Sequence, residues 1–232
     1  MATTAKILYG CGADSFYATK MDVPDPYLWY QDSAGQTHVI MSPLEVDRAR
    51  KHAQVDKVHA LSDVVKELKT DGKPGNTVHQ ALWLIAQDAP NKLVAPRDFP
   101  FELADGLQKE GVNIQPADGL FFPERGIKTA DEVRQIREAQ ALNEQAFARA
   151  FATLSESTIG QDGLLYWQDE VLTAEKLRGQ MNALIAGEGG MPSDVIVASG
   201  AQGADPHERG HGALKAHELI IIDSFPRGSS GN

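Results

Sequence analysis

Asp223 closes the apolar run Leu219-Ile220-Ile221-Ile222, and His207 follows Pro206 in the polar, glycine-containing stretch that precedes that run. A carboxylate carried inward by an aliphatic strand must meet a cation or several hydrogen-bond donors, because an unpaired buried charge is costly. A divalent metal ion is one such cation. Local chemistry also allows a plainer pair of roles, a turn-capping aspartate and a surface histidine. Glu208, Arg209, His211 and His217 read as solvated loop residues. His207 and His211 sit four apart, but Pro206, Gly210 and Gly212 argue against the helix that would bring them together as paired ligands.

The other candidates carry less. Gly10-Cys11-Gly12 follows a strand-like run, as the start of a dinucleotide-binding turn would. Ser15 stands where the third glycine belongs, and Val23-Pro24-Asp25-Pro26 is expected to break any helix whose N-terminus could hold a pyrophosphate, so the segment reads as a tight turn. Cys11 is the single cysteine, and no motif supplies it with a base. It is assigned no role.

These residues need elements to position them. Val195 to Ser199 and Leu219 to Asp223 are short β-branched or aliphatic runs and predict two strands, with the His207 stretch between them. A helix is predicted before them from Thr173 to Ala186, with Leu177, Met181, Leu184 and Ile185 on one face and Gly187-Glu188-Gly189-Gly190 as its stop. Thr129-Ala130-Asp131-Glu132 is a capping box and starts a long helix reaching about Leu154. Its apolar face is expected to be Val133, Ile136, Phe147, Phe151 and Leu154. Further upstream, strands at 5–9, 27–31, 37–42, 58–61, 92–95 and 112–115 alternate with helical text at 43–52, 62–69, 76–86 and 100–109. This is an α/β rhythm, and it ends at the turn Pro116-Ala117-Asp118-Gly119.

The bulk numbers narrow the function classes. The chain has 232 residues, 42% hydrophobic and 23% charged, enough for a sizeable core and far from the composition of disordered chains. Its 22 Lys plus Arg face 32 Asp plus Glu, and the net charge of −10 repels phosphate backbones and anionic lipid. Neither nucleic acid nor a membrane is expected as a partner. A lone cysteine and a start without a basic, apolar leader point to the cytoplasm.

The block Val195-Ile196-Val197-Ala198-Ser199-Gly200, then Pro206-His207, then Leu219-Ile220-Ile221-Ile222-Asp223, resembles the pita-bread metallopeptidase family. That family includes Xaa-Pro aminopeptidases, prolidases, methionine aminopeptidases and the metal-free creatinases. The helix beginning Glu175-Lys176-Leu177-Arg178 stands in the family's order. Pro123-Glu124-Arg125-Gly126-Ile127-Lys128, with the capping box and Val133-Arg134-Gln135-Ile136-Arg137, resembles the start of its catalytic domain. Tyr17-Ala18-Thr19 and Pro24-Asp25-Pro26 fit the creatinase-type domain that precedes it in proline-directed members. The resemblance therefore implies an α/β, creatinase-like N-terminal domain over 1–122, a mixed sheet with flanking helices. The incomplete first half of an α+β pita-bread catalytic domain follows over 123–232.

It also implies a chemistry. In that family two Asp, one His and two Glu hold a pair of divalent metals, and a bridging water or hydroxide attacks the scissile carbonyl. By position Asp223 matches the first metal-binding aspartate, and His207 matches the loop histidine that contacts substrate near the reacting carbonyl. The implied protein is a metallo-aminopeptidase or dipeptidase acting on peptides with proline at the second position, with Mn, Zn or Co as ions and a homodimeric assembly. After the aspartate many members continue with a small residue and glycine, whereas Ser224-Phe225-Pro226-Arg227 follows here, so proline specificity rests on the two-domain layout. Arg227-Gly228-Ser229-Ser230-Gly231 leads only to Asn232, so the chain reads as C-terminally truncated, and it is expected neither to hold two metals stably nor to hydrolyse peptides. Two other readings stay open: a creatinase-like, metal-free amidinohydrolase, and a non-catalytic binding or scaffolding relative.

Overall fold

The computed structural model describes residues 3–228. It divides into two compact units, Met1–Gly126 and Ile127–Asn232.

In the first unit β1 (Thr4–Gly10) leads through α1 (Ala13–Thr19) into the hairpin β2 (Tyr27–Gln31) and β3 (Thr37–Met41). Then come α2 (Val46–His52), β4 (Lys57–Ala60), α3 (Leu61–Thr70), α4 (Thr77–Ile85), β5 (Lys92–Ala95), α5 (Phe101–Lys109) and β6 (Ile114–Pro116). The six strands form one sheet in the order β4-β3-β2-β1-β5-β6. The central meander is antiparallel, and β4, β5 and β6 join in parallel, which makes the sheet mixed. Alternation along β2 shows why both faces need covering. Leu28 and Tyr30 face a core built with Val64 and Leu68 of α3, Ala81 and Leu84 of α4, and Leu103 and Leu107 of α5. Tyr27 and Trp29 face a second core with Val46 and Ala49 of α2 and the aromatic pair Phe121 and Phe122.

A helix does follow Gly10-Cys11-Gly12, contrary to the expected bare turn. α1 spans seven residues and stops at Lys20 in the left-handed region (φ 54°), before Pro24 is reached. Its last residue, Thr19, is tied to Tyr27 Oη at 2.8 Å and donates to Ser15 O at 3.0 Å, so a buried polar knot replaces a C-terminal glycine.

The second unit opens with α6 (Ala130–Glu156) and continues through β7 (Thr158–Ile159), β8 (Leu165–Trp167), β9 (Glu170–Val171), α7 (Ala174–Gly187), β10 (Ile196–Ser199) and β11 (Ile220–Asp223). Both halves of the capping box at the start of α6 are made. Glu132 N donates to Thr129 Oγ1 at 3.2 Å, and Thr129 N donates to Glu132 Oε2 at 2.9 Å. The face that α6 buries is not the expected one. Leu142, Ala146, Ala150 and Thr153 are buried, whereas Ile136 and Phe151 are 50% and 57% exposed. Alanines let α7 approach closely, and Leu177, Met181 and Ile185 of α7 fill the space. Counting only large apolar side chains selected the wrong stripe.

Candidate functional site

Asp223 is the last residue of β11, and β11 pairs antiparallel with β10 in the register Ile196↔Asp223, Val197↔Ile222, Ala198↔Ile221 and Ser199↔Ile220. Alternation sends Val197, Ile220 and Ile222 into the core against α6 and α7. Ile221 and Asp223 therefore share the opposite face of the hairpin. Asp223 is exposed there, so the desolvation expected of a carboxylate that closes an aliphatic strand does not occur, because alternation turns it to the outer face. The chain behind it is fixed, since Asn143 of α6 donates to the carbonyl of Ser224 at 2.9 Å and Met191 exchanges two backbone bonds with Arg227.

His207 lies in the connection between β10 and β11, just after a 3-10 turn at Gly200–Ala204. Its backbone N–H donates to Asp205 Oδ1 at 2.9 Å, and its ring is exposed. The turn folds over the face that carries Asp223, because Gly203 packs so tightly on Ile221 that a Cβ there would lie 2.8 Å from the Ile221 Cδ1. After His207 the chain returns along the other edge of β10. Val197 N donates to Arg209 O at 3.0 Å, on the side of the strand that β11 does not occupy. Asp223, opposite Ile196, and the limb that returns from His207, bonded at Val197, thus lie on opposite edges of β10.

Several side chains hold that returning limb, and most of them carried no role from sequence. Arg178 Nη1 donates to Arg209 O at 2.5 Å and to Gly210 O at 3.0 Å. Both Glu175 carboxylate oxygens accept from Gly212 N at 3.1 Å, and the donors around it, first its own backbone N–H and then Gly212, hold its carboxyl below the usual carboxylate range. Gln202 pairs with the backbone of His211 through both ends of its amide, at 3.0 and 3.1 Å. Glu208 and Arg209 are more than the solvated residues expected. The Glu208 Oε1 accepts from Gly210 N at 3.0 Å, and Arg209 supplies the carbonyl that extends the ladder. Gly210 has a stronger reason than helix breaking. It sits at φ +81°, and a Cβ would lie 1.6 Å from Val197 O. The sequence signal for this close approach is a glycine directly after an arginine in a polar loop, which many harmless turns share.

Asp223 and His207 do not by themselves make a metal centre. Among the described residues no three His, Cys, Asp or Glu side chains are grouped closely enough to hold an ion. A dinuclear centre requires bridging carboxylates that offset the repulsion between its cations, and Asp223 supplies one carboxylate. No helix of the described residues is long and apolar enough to cross a membrane; α6 has the length but is charged throughout.

Comparison with known proteins places this hairpin in context. Residues 134–231 match the model of metallopeptidase family M24. No curated protein sequence matches the chain. Among solved structures, prolidase from Pyrococcus furiosus superposes with a TM-score of 0.72 at 15% identity, over 97% of this chain and 62% of that one. X-Pro aminopeptidase from Thermotoga maritima MSB8 gives 0.70 at 15% identity, over 94% of this chain and 58% of that one. Xaa-Pro dipeptidase from Bacillus anthracis gives 0.69 at 16%, over 95% and 55%. These likenesses bear out the resemblance and the fold it implied, a creatinase-like mixed sheet with flanking helices followed by part of a pita-bread domain. The chain spans between about half and two thirds of the length of these solved relatives.

Proposed function

We propose that this chain carries the first metal-binding aspartate and the substrate-side histidine of a metal-dependent peptidase acting at Xaa-Pro bonds. The observation that carries the reading is the β10–β11 hairpin within residues 134–231. Asp223 closes one strand, and the His207 loop is fastened by Arg178, Glu175 and Gln202 along the far edge of the other. An exposed carboxylate on a rigid strand can ligate without being desolvated first, and an imidazole on a braced loop can donate to a carbonyl oxygen that gains negative charge during attack. The layout assigned to the chain is a creatinase-like domain over 1–122 and part of a catalytic domain over 123–232. The substrate is a peptide with proline at the second position, the ions are Mn, Zn or Co, the assembly is a homodimer and the compartment is the cytoplasm.

The test is hydrolysis of Xaa-Pro dipeptides and longer peptides by the complete gene product, with each ion added in turn and with the Asp223→Asn and His207→Ala variants. Asp223→Asn is expected to lower kcat/KM by at least about a thousandfold, and His207→Ala by roughly a hundredfold, chiefly in kcat. Metal-independent turnover, or full activity in Asp223→Asn, would sink the reading.

A further inference from the structure

In the first unit, far along the chain from the candidate site, two histidines meet in a way that the proposed function does not use. His38 of β3 is 1% exposed, and its Nδ1 lies 3.2 Å from Nε2 of His59 on β4. The rings are 21° from parallel with centroids 5.5 Å apart, farther than their facing nitrogens, so they meet edge to edge rather than face to face. Only one proton fits between those two nitrogens. The other nitrogen of His38, Nε2, has no hydrogen-bond partner among the described residues and faces the Asp32 carboxylate at 3.7 Å. The consistent arrangement is an N–H of His38 turned toward Asp32, with His59 Nε2–H donating to His38 Nδ1. His59 also contacts Trp83 of α4, with ring centroids 4.9 Å apart and planes at 77°. Trp83 in turn donates to Glu67 of α3 at 2.8 Å.

We propose that His38 and His59 are an acid-sensitive latch. It holds β3, β4 and α4 together while the facing nitrogens share one proton, and it opens that edge of the unit when both rings become charged.

The pair can accept one positive charge with its bond intact, on the outer nitrogen of His59. A second charge puts an N–H on each facing nitrogen at 3.2 Å, and the rings must part. The surroundings set how far acid must go. For His38, burial and Lys57 on β4 oppose the charge, while Asp32 in the hairpin turn and Asp56 before β4 favour it. Asp88, beyond α4, is bonded to Tyr30 Oη and to Ser33 N and also feels the His38 charge. For His59, burial, His38 and Lys57 oppose the charge and Glu67 favours it. Both histidines are therefore held below their ordinary value, which is near 6.5. The sign follows: the folded state binds fewer protons than the unfolded one. The stabilisation is complete above about pH 6.5 and is lost as pH falls through the folded values.

The experiment follows the whole chain from about pH 7.5 to 5 by denaturant unfolding, by Trp83 fluorescence and by imidazole NMR, in the wild type and in His59→Gln. The unfolding constant of the wild type is expected to rise roughly tenfold more over that range than that of His59→Gln. Quenching of Trp83 by the charged imidazole should accompany it, and a Trp83→Phe control assigns the signal. Equal pH dependence in the two proteins overturns the proposal. If His59→Gln does not fold, NMR of the wild type decides. Two separated protonation steps, with β3 and β4 amide signals lost at the second, uphold the latch, and both rings charging together while those signals stay unchanged overturn it. None of these outcomes depends on peptidase activity, so the two readings stand or fall separately.

Discussion

At Gly210 an alanine methyl would sit 1.6 Å from the carbonyl oxygen of Val197, in a backbone conformation of φ +81° that side chains rarely adopt. The loop cannot relieve this by a small shift, because Arg178 holds the carbonyls on both sides of the contact and Val197 holds Arg209. Gly210→Ala is expected to cost about 2–4 kcal/mol, combining left-handed strain with overpacking. Urea unfolding measures the loss, and hydrogen exchange should show the Val197 amide among the first to become labile. Equal stability of the variant would mean that the limb lifts off β10 without penalty. Asp223 and His207 stand out in the sequence as candidates because a carboxylate after four aliphatic residues and a Pro-His pair are local patterns. Arg178, Glu175 and Gln202 were not, because they act on backbone groups 37 residues away or fewer, and such targets leave no mark in the side-chain sequence.

Among the elements, α6 shows both sides of what spacing can reveal. Its start was readable because the Thr129–Glu132 box is a two-residue device with a fixed geometry. Thr129→Ala should cost about 1 kcal/mol, seen as a lower unfolding midpoint and earlier fraying of the first turn in helix-sensitive amide exchange. Its buried face was misread because Ala146 and Ala150, both fully buried, carry little weight in an apolar count yet decide how close a neighbouring helix can lie. β7, β8 and β9 escaped notice for a different reason. With two or three residues each, they are too short to display alternation, and backbone pairing alone defines them. The main strands of the first unit were visible because four successive buried residues in β2 and four in β3 leave few alternatives.

For the molecule among its copies, β11 matters most. Among the described residues it pairs with β10, and Leu219 and Ile221 beside it are 88% and 46% exposed. An apolar edge of this kind recruits other strands. The chain is expected to self-associate with rising concentration, and Leu219→Lys should shift the sedimentation profile toward monomer without changing the unfolding free energy by more than about 0.5 kcal/mol. Unchanged association in that variant would place the contact elsewhere. This prediction concerns the surface, where composition gave only a net charge and no map.

The order of strands in the first unit has a consequence for how the protein is made. Thr4 pairs with Lys92, so β1 sits at the middle of its sheet although it is synthesised first. On the ribosome the meander of β1, β2 and β3 can close early, but one flank of β1 must wait for β5, roughly 5 to 15 s later at ordinary elongation rates. Closing so long a loop is entropically slow as well. Throughout that interval the nascent chain presents a strand with a free side, and its time to maturity is set by translation of a distant segment rather than by the stability of the finished sheet.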